Sequence, residues 1–176
     1  RGTHEIGGSC VELITDKARI LIDFGIPLVS RDHQPFDENL LKGKTIEVLK
    51  SQGILPDIKG LYRDEEKGID GILISHSHLD HYGFLQYVNQ EIPIYLSQGA
   101  GILIDVSNIF VPAKVGKLNT RVISHKKQLS IGDFTITPFL VDHSAFDAFA
   151  FLIEAEGKRL FYSGDFRAHG RKAKLF

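Results

Sequence analysis

Apolar and polar positions alternate over residues 10–15, a polar pair Asp16-Lys17 follows, and a second apolar run covers residues 19–23. Period-two alternation on either side of a polar pair predicts a β-hairpin. Residues 26–36, with Pro27 and Pro35, read as a loop. A helical pattern over residues 45–52 stops at Gly53 and Pro56. Residues 57–70 form a charged connection, and its tip Asp64-Glu65-Glu66-Lys67 reads as solvated. The uninterrupted apolar run Gly71-Ile72-Leu73-Ile74-Ser75 predicts a buried strand. Tyr82-Gly83-Phe84-Leu85-Gln86-Tyr87-Val88 reads as the start of a helix, so strand, turn and helix fill residues 71–90. A short strand over residues 93–96 leads to Ser97, which caps a helix running to Phe110.

The remainder is strand-rich. Residues 121–124, 134–141, 149–154 and 159–163 are enriched in β-branched and aromatic side chains. Gly132-Asp133 and Glu156-Gly157-Lys158 are hairpin turns between them. Hairpins at both ends with helices between imply mixed sheets with helices outside, an α/β or α+β class. No internal repeat or linker divides the chain, so residues 1–176 read as one unit.

Composition narrows this only modestly. The chain has 176 residues, 43% hydrophobic and 24% charged, enough for one domain with a real core. No apolar run reaches the length of a membrane span, and no signal peptide is visible. Cys10 is the single cysteine, which excludes an internal disulfide and fits a cytoplasmic location. It lies in a strand and reads as a small buried residue. The formal net charge of −1 argues against a broad nucleic-acid surface. A local basic patch from Arg167, Arg171, Lys172 and Lys174 would serve instead, and a solvated helix start is the plain alternative. The absence of Met and the start at Arg1 suggest a piece of a longer product.

The chemistry concentrates in His76-Ser77-His78-Leu79-Asp80-His81, where four of six residues can ligate metal. His and Asp donors suit zinc, with manganese or iron as alternatives. Residues two apart in extended backbone point the same way, so His76 and His78 can share one ion. Asp80 and His81 fall where the chain turns into the helix and can aim at a second ion. Two such ions can hold a bridging water and make it hydroxide near neutral pH. The competing reading is a His-rich solvated turn.

The hexapeptide after a buried strand resembles the central metal motif of the metallo-β-lactamase superfamily. Three further stretches resemble its other motifs in order. These are Gly8-Ser9-Cys10-Val11-Glu12-Leu13 with Ile20-Leu21-Ile22-Asp23-Phe24-Gly25, then Val141-Asp142-His143-Ser144, then Tyr162-Ser163-Gly164-Asp165-Phe166. The resemblance implies a four-layer αββα sandwich, with this chain supplying the first sheet and part of the second. It implies that His76, His78 and His143 bind one ion. Asp80, His81 and Asp165 would bind another, with Asp165 bridging both and Asp80 orienting the attacking hydroxide. It also implies a last ligand beyond Phe176, so that the chain alone lacks a complete second site.

Gly164-Asp165-Phe166-Arg167, His169-Gly170-Arg171-Lys172 and the long segment between Asp23 and His76 resemble the ribonuclease J-like, β-CASP branch of that superfamily. The implied activity is hydrolysis of an RNA phosphodiester. A small-molecule hydrolase acting on a thioester, lactone or β-lactam is the second reading, and a metal-free binding scaffold the third. Asp23 ends an apolar strand and can accept the free N–H of a ligand histidine; a strand-end turn is its plainer role. Ser144, Arg167, His169 and Arg171 are candidates for substrate contact. His169 also reads as a capping side chain, and His4, His33 and His125 as surface residues.

Overall fold

The computed structural model describes residues 6–29, 34–110 and 115–169. His4, His33, Arg171, Lys172 and Lys174 lie outside the described residues.

Strands β1 (Val11–Ile14) and β2 (Arg19–Ile22) form the expected hairpin. Helix α1 (Ile46–Ser51) follows, with the Thr45 side chain accepting from Val48 N–H. Strand β3 (Gly71–Leu73) leads to helix α2 (Leu79–Tyr82), and strand β4 (Ile94–Ser97) to helix α3 (Gln98–Phe110). As expected, the Ser97 hydroxyl caps α3, accepting from Ala100 N–H at 3.0 Å. Strands β5 (Thr120–Ile123), β6 (Leu129–Ile131), β7 (Phe134–Leu140), β8 (Phe149–Ala155) and β9 (Lys158–Tyr162) complete the described chain.

Two sheets result. The first runs β1-β2-β3-β4-β5, antiparallel at β1–β2 and parallel thereafter. The second runs β6-β7-β8-β9, antiparallel throughout. Side-chain alternation explains how they stack. In β2, Ile20 and Ile22 enter the core between the sheets while Leu21 enters the core under the helices. In β3, Ile72 faces the helices and Leu73 faces the second sheet. Burial on both faces is why these central strands are uninterrupted apolar runs rather than alternating ones. The second sheet contributes Phe134, Ile136, Phe149, Phe151 and Ile153 to the shared core. Cys10 is buried, as expected.

Two local expectations are corrected, and one strand was not expected. Residues 82–88 do not begin a helix. Helix α2 is a single turn that starts earlier, at Leu79, and a separate 3-10 turn spans Leu85–Tyr87. Continuing α2 would require Phe84 N–H to reach Asp80 C=O. That carbonyl accepts from Ser9 N–H at 3.0 Å, and Phe84 N–H donates to Phe24 C=O at 3.0 Å. The loop after β2 therefore stops the helix. Second, Glu65 in the acidic tip is half-buried: it accepts from Gly60 N–H at 2.5 Å and pairs with Lys50 Nζ at 3.1 Å. The unexpected strand, β6, has too few residues and too weak a pattern to be read from sequence, and it is defined by its pairing with β7.

Candidate metal centre

The parallel strands end on one rim, where α/β folds commonly place their chemistry. Ser75, His76 and His78 continue from β3, and Asp80 and His81 occupy the first turn of α2. The backbone after β2 holds this turn from below. Phe24 N–H donates to His81 C=O at 2.7 Å and Ile26 N–H to Leu79 C=O at 3.0 Å. Gly25 permits the approach, because a Cβ there would fall 1.6 Å from Asp80 O. The second sheet delivers the remaining residues. His143 lies in the loop after β7 and Asp165 in the loop after β9. These loops are joined by Arg167 N–H donating to Asp142 C=O at 2.7 Å. Gly164 adopts φ 55°, and a Cβ there would sit 3.2 Å from Ser75 Cβ. Phe149 N–H donates to Ser75 C=O at 2.8 Å, docking the second sheet on the ligand turn.

Three imidazole nitrogens converge. His76 Nε2 lies 3.1 Å from His78 Nδ1, and His143 Nε2 lies 3.2 Å from the same atom. A tetrahedral ion with nitrogen ligands spaces its donors by about 3.3 Å. Three ring nitrogens at these spacings match the donor set of a single tetrahedral ion. The cluster therefore fits a divalent ion. His76, His81 and Asp165 form a second group whose ligand atoms lie within 4.8 Å of one another. Asp165 Oδ2 is 3.7 Å from His81 Nε2 and 3.8 Å from His143 Nε2, midway between the groups. Asp80 Oδ2 lies 3.5 Å from His81 Nε2, beside the second group but outside the set just described.

The buried side of the site is fully wired. Asp23 is inaccessible to solvent, and at φ 58° it adopts the left-handed backbone that Asp tolerates. Its Oδ1 accepts from Ser75 N–H at 2.7 Å. Its Oδ2 accepts from Ser75 Oγ at 2.8 Å, from His81 Nδ1 at 2.8 Å and from the Tyr162 hydroxyl at 2.6 Å. Ser75 Oγ also lies 3.0 Å from His76 Nδ1. One proton assignment satisfies every group: His76 donates to Ser75, and Ser75, His81 and Tyr162 donate to Asp23. It leaves Nε2 of His76 and of His81 as lone pairs facing the cleft.

Protonation preferences follow the surroundings. Burial, then the neighbouring His81, His78 and His143, push His76 down to about 2. Burial also lowers His143, partly opposed by Asp165. Burial disfavours the imidazolium of His81, but Asp23, then Asp80 and Asp165, outweigh it and raise its pKa.

The exposed side is an open cleft of about 450 Å³, lined by His143, Ser144, Asp165, Phe166, Arg167 and His169. The structure thus gathers Ser144, Arg167 and His169 beside the metal groups, while His125 is exposed on the surface and accepts from Leu140 N–H at 2.9 Å. Sequence reading missed Ser75 and Tyr162. Ser75 closes the quoted apolar run and Tyr162 opens the last quoted stretch, but nothing in their spacing shows that they meet on Asp23.

Comparison with known proteins agrees with this geometry. The family model described as Beta-lactamase superfamily domain matches residues 51–174, and that of the Metallo-beta-lactamase superfamily matches residues 5–96. A ribonuclease J of Helicobacter pylori is 29% identical over 172 residues, covering 94% of this chain and 22% of that protein. A probable RNase of Methanocaldococcus jannaschii is 27% identical, covering 92% of this chain and 36% of that protein. The chain thus spans well under half the length of these curated relatives. Among solved structures, a protein of unknown function from Enterococcus faecalis V583 matches with TM-score 0.78 and 26% identity, over 97% of this chain and 43% of that one. The metallo-β-lactamase fold protein YhfI from Bacillus subtilis matches with TM-score 0.57 and 17% identity, over 90% and 55%, and shares the fold. With both halves matched and the His and Asp residues of its motifs drawn to one rim, the chain belongs to the metallo-β-lactamase superfamily.

Proposed function

We propose that residues 1–176 form one metallo-β-lactamase-type domain of a metal-dependent hydrolase that cleaves phosphodiester bonds in RNA. The observation that carries this reading is the convergence of His76 Nε2, His78 Nδ1 and His143 Nε2 at 3.1–3.2 Å. The RNA substrate is supported by the relatives named as ribonucleases and by the position of Arg167 at the cleft. A cytoplasmic site of action goes with this reading, as the single cysteine allows.

His76, His78 and His143 would hold one ion, and His81, Asp80 and Asp165 the other, with Asp165 shared. The nitrogen-rich first set favours zinc, and the carboxylates of the second admit manganese or iron. When bound, two such ions supply Lewis acidity, activate water near neutral pH and offset charge on phosphoryl oxygens. The chain's own residues do the rest. The Asp80 carboxylate accepts a hydrogen bond from the attacking water and aims it at phosphorus. Arg167 and His169 bind non-bridging phosphate oxygens, and the Ser144 hydroxyl donates to the same group. His76 stays neutral at working pH and so remains available as a ligand.

The test incubates the full-length protein with manganese or zinc and a 5′-phosphorylated single-stranded RNA, beside an Asp80→Ala control. Cleavage that disappears in the control supports the reading. Metal-loaded protein that leaves RNA intact would sink it and turn attention to thioester or lactone substrates.

A further inference from the structure

Tyr162 ends β9, three residues before Asp165, and has no part in the chemistry above. Its phenol donates to Asp23 Oδ2 at 2.6 Å. Burial, then the charge of Asp23 and the hydrogen bond itself, raise the phenol pKa, so the group remains a donor. The other donors on Asp23 among the described residues, Ser75 and His81, belong to the ligand turn of the first sheet. Tyr162 alone arrives from the second sheet.

That connectivity closes a small ring of contacts. His81 Nδ1 is fixed on Asp23, Asp23 on Tyr162, and Tyr162 is linked through Ser163 and Gly164 to Asp165. Asp165 Oδ2 then returns to within 3.7 Å of His81 Nε2. Gly164 adds little slack, since it is packed against Phe149 O and Ser75 Cβ. The trio of His76, His78 and His143 is joined across the sheets by other bonds. Phe149 N–H donates to Ser75 C=O, and His76 rests on Ser75 Oγ. The His143 loop is closed by Val141 N–H donating to Ala148 C=O at 2.9 Å.

We infer that Tyr162 is a positioning residue, a strut between the sheets that sets the separation of His81 and Asp165 and so the affinity of the ion they would share. The inference rests on the metal-dependent reading for its metal arm and on the hydrogen-bond network alone for its other arm. The trio that includes His143 has a separate tie across the sheets, the Phe149 N–H to Ser75 C=O bond, and reaches Asp23 only through Ser75.

The test is Tyr162→Phe, which removes one oxygen and keeps the ring stacked on Phe151 (centroids 6.5 Å apart, planes at 19°). Three readouts are taken on wild type and variant. These are calorimetric zinc titration, the thermal midpoint of the metal-free protein, and the imidazole nitrogen NMR signals of His81 without metal. The expected result is one zinc bound as in wild type and the other at least ~10-fold weaker, the effect of losing a partner behind a ligand. The His81 Nδ1 signal should move while the metal-free midpoint holds. Unchanged affinity for both ions with an unmoved His81 signal overturns the inference. Equal weakening of both ions together with a lower midpoint also overturns it, because Tyr162 would then only support the fold. A wild-type protein that binds no zinc, manganese or iron defeats the metal-dependent reading instead. In that case the His81 signal still decides: movement in the variant upholds the strut, and none rejects it.

Discussion

The two sides of the metal centre are built differently. On the first-sheet side, Asp23, Ser75, His76 and His81 are all buried, and Asp23, Ser75 and the Nδ1 of each histidine meet defined partners. On the second-sheet side, the Asp165 side chain is 49% exposed and the cleft around Arg167 and His169 is open. The contrast separates two tasks. Buried, pre-paired groups hold ring tautomers and geometry without reorganising when an ion enters. Exposed groups stay available to a substrate and contribute little to stability.

Disturbing the wired side should be the more damaging. Gly25→Ala places a methyl group against the backbone of Asp80 and His81, so chemical denaturation should show a loss of about 3–5 kcal/mol or an unfolded protein. Near-wild-type stability would mean that the turn is not clamped there. Next in size, His81→Ala removes a ligand of the second ion, whereas His78→Ala removes one of the first. Zinc titration should show a single ion weakened by about 100-fold or more in each variant, and a different ion in each. Loss of the same ion in both variants would break the assignment of His78 and His81 to separate ions.

The pH response sharpens the comparison. Metal binding requires a free Nε2, so protons compete where the pKa is raised. His81 is raised above its ordinary value near 6.5, so its proton returns early as pH falls. His76, held near 2, and the lowered His143 keep their lone pairs further into acid. Lowering the pH from about 8 to about 5 should therefore release one equivalent of zinc before the other. Simultaneous release of both would contradict this. The smallest effect belongs to the open side. Arg167→Ala should lower kcat/KM on RNA by about 10-fold, the loss of one charge-assisted phosphate contact, with metal content unchanged. Steady-state kinetics beside metal analysis checks it.

Legibility followed sequence distance. The ligands from His76 to His81 are local, so strand periodicity and residue type were enough to find them. His143 and Asp165 were reached through family resemblance, because no local pattern ties them to residues on another sheet. Asp23 was readable as a partner for a ligand histidine, but which histidine it serves depends on how β2 pairs with β3. Tyr162 was out of reach because it requires the stacking of two sheets. The short α2 shows the same limit from the other direction: residues 82–88 carry a helical composition, and Phe84 N–H, committed to Phe24 C=O in the loop after β2, ends the helix.

The most direct test is anomalous diffraction from crystals of the protein grown with zinc. The expected map holds one peak among His76 Nε2, His78 Nδ1 and His143 Nε2, and a second beside His81 Nε2 and Asp165. A map with no peak among those three nitrogens, from crystals saturated with zinc, would contradict the metal centre on which the functional reading depends.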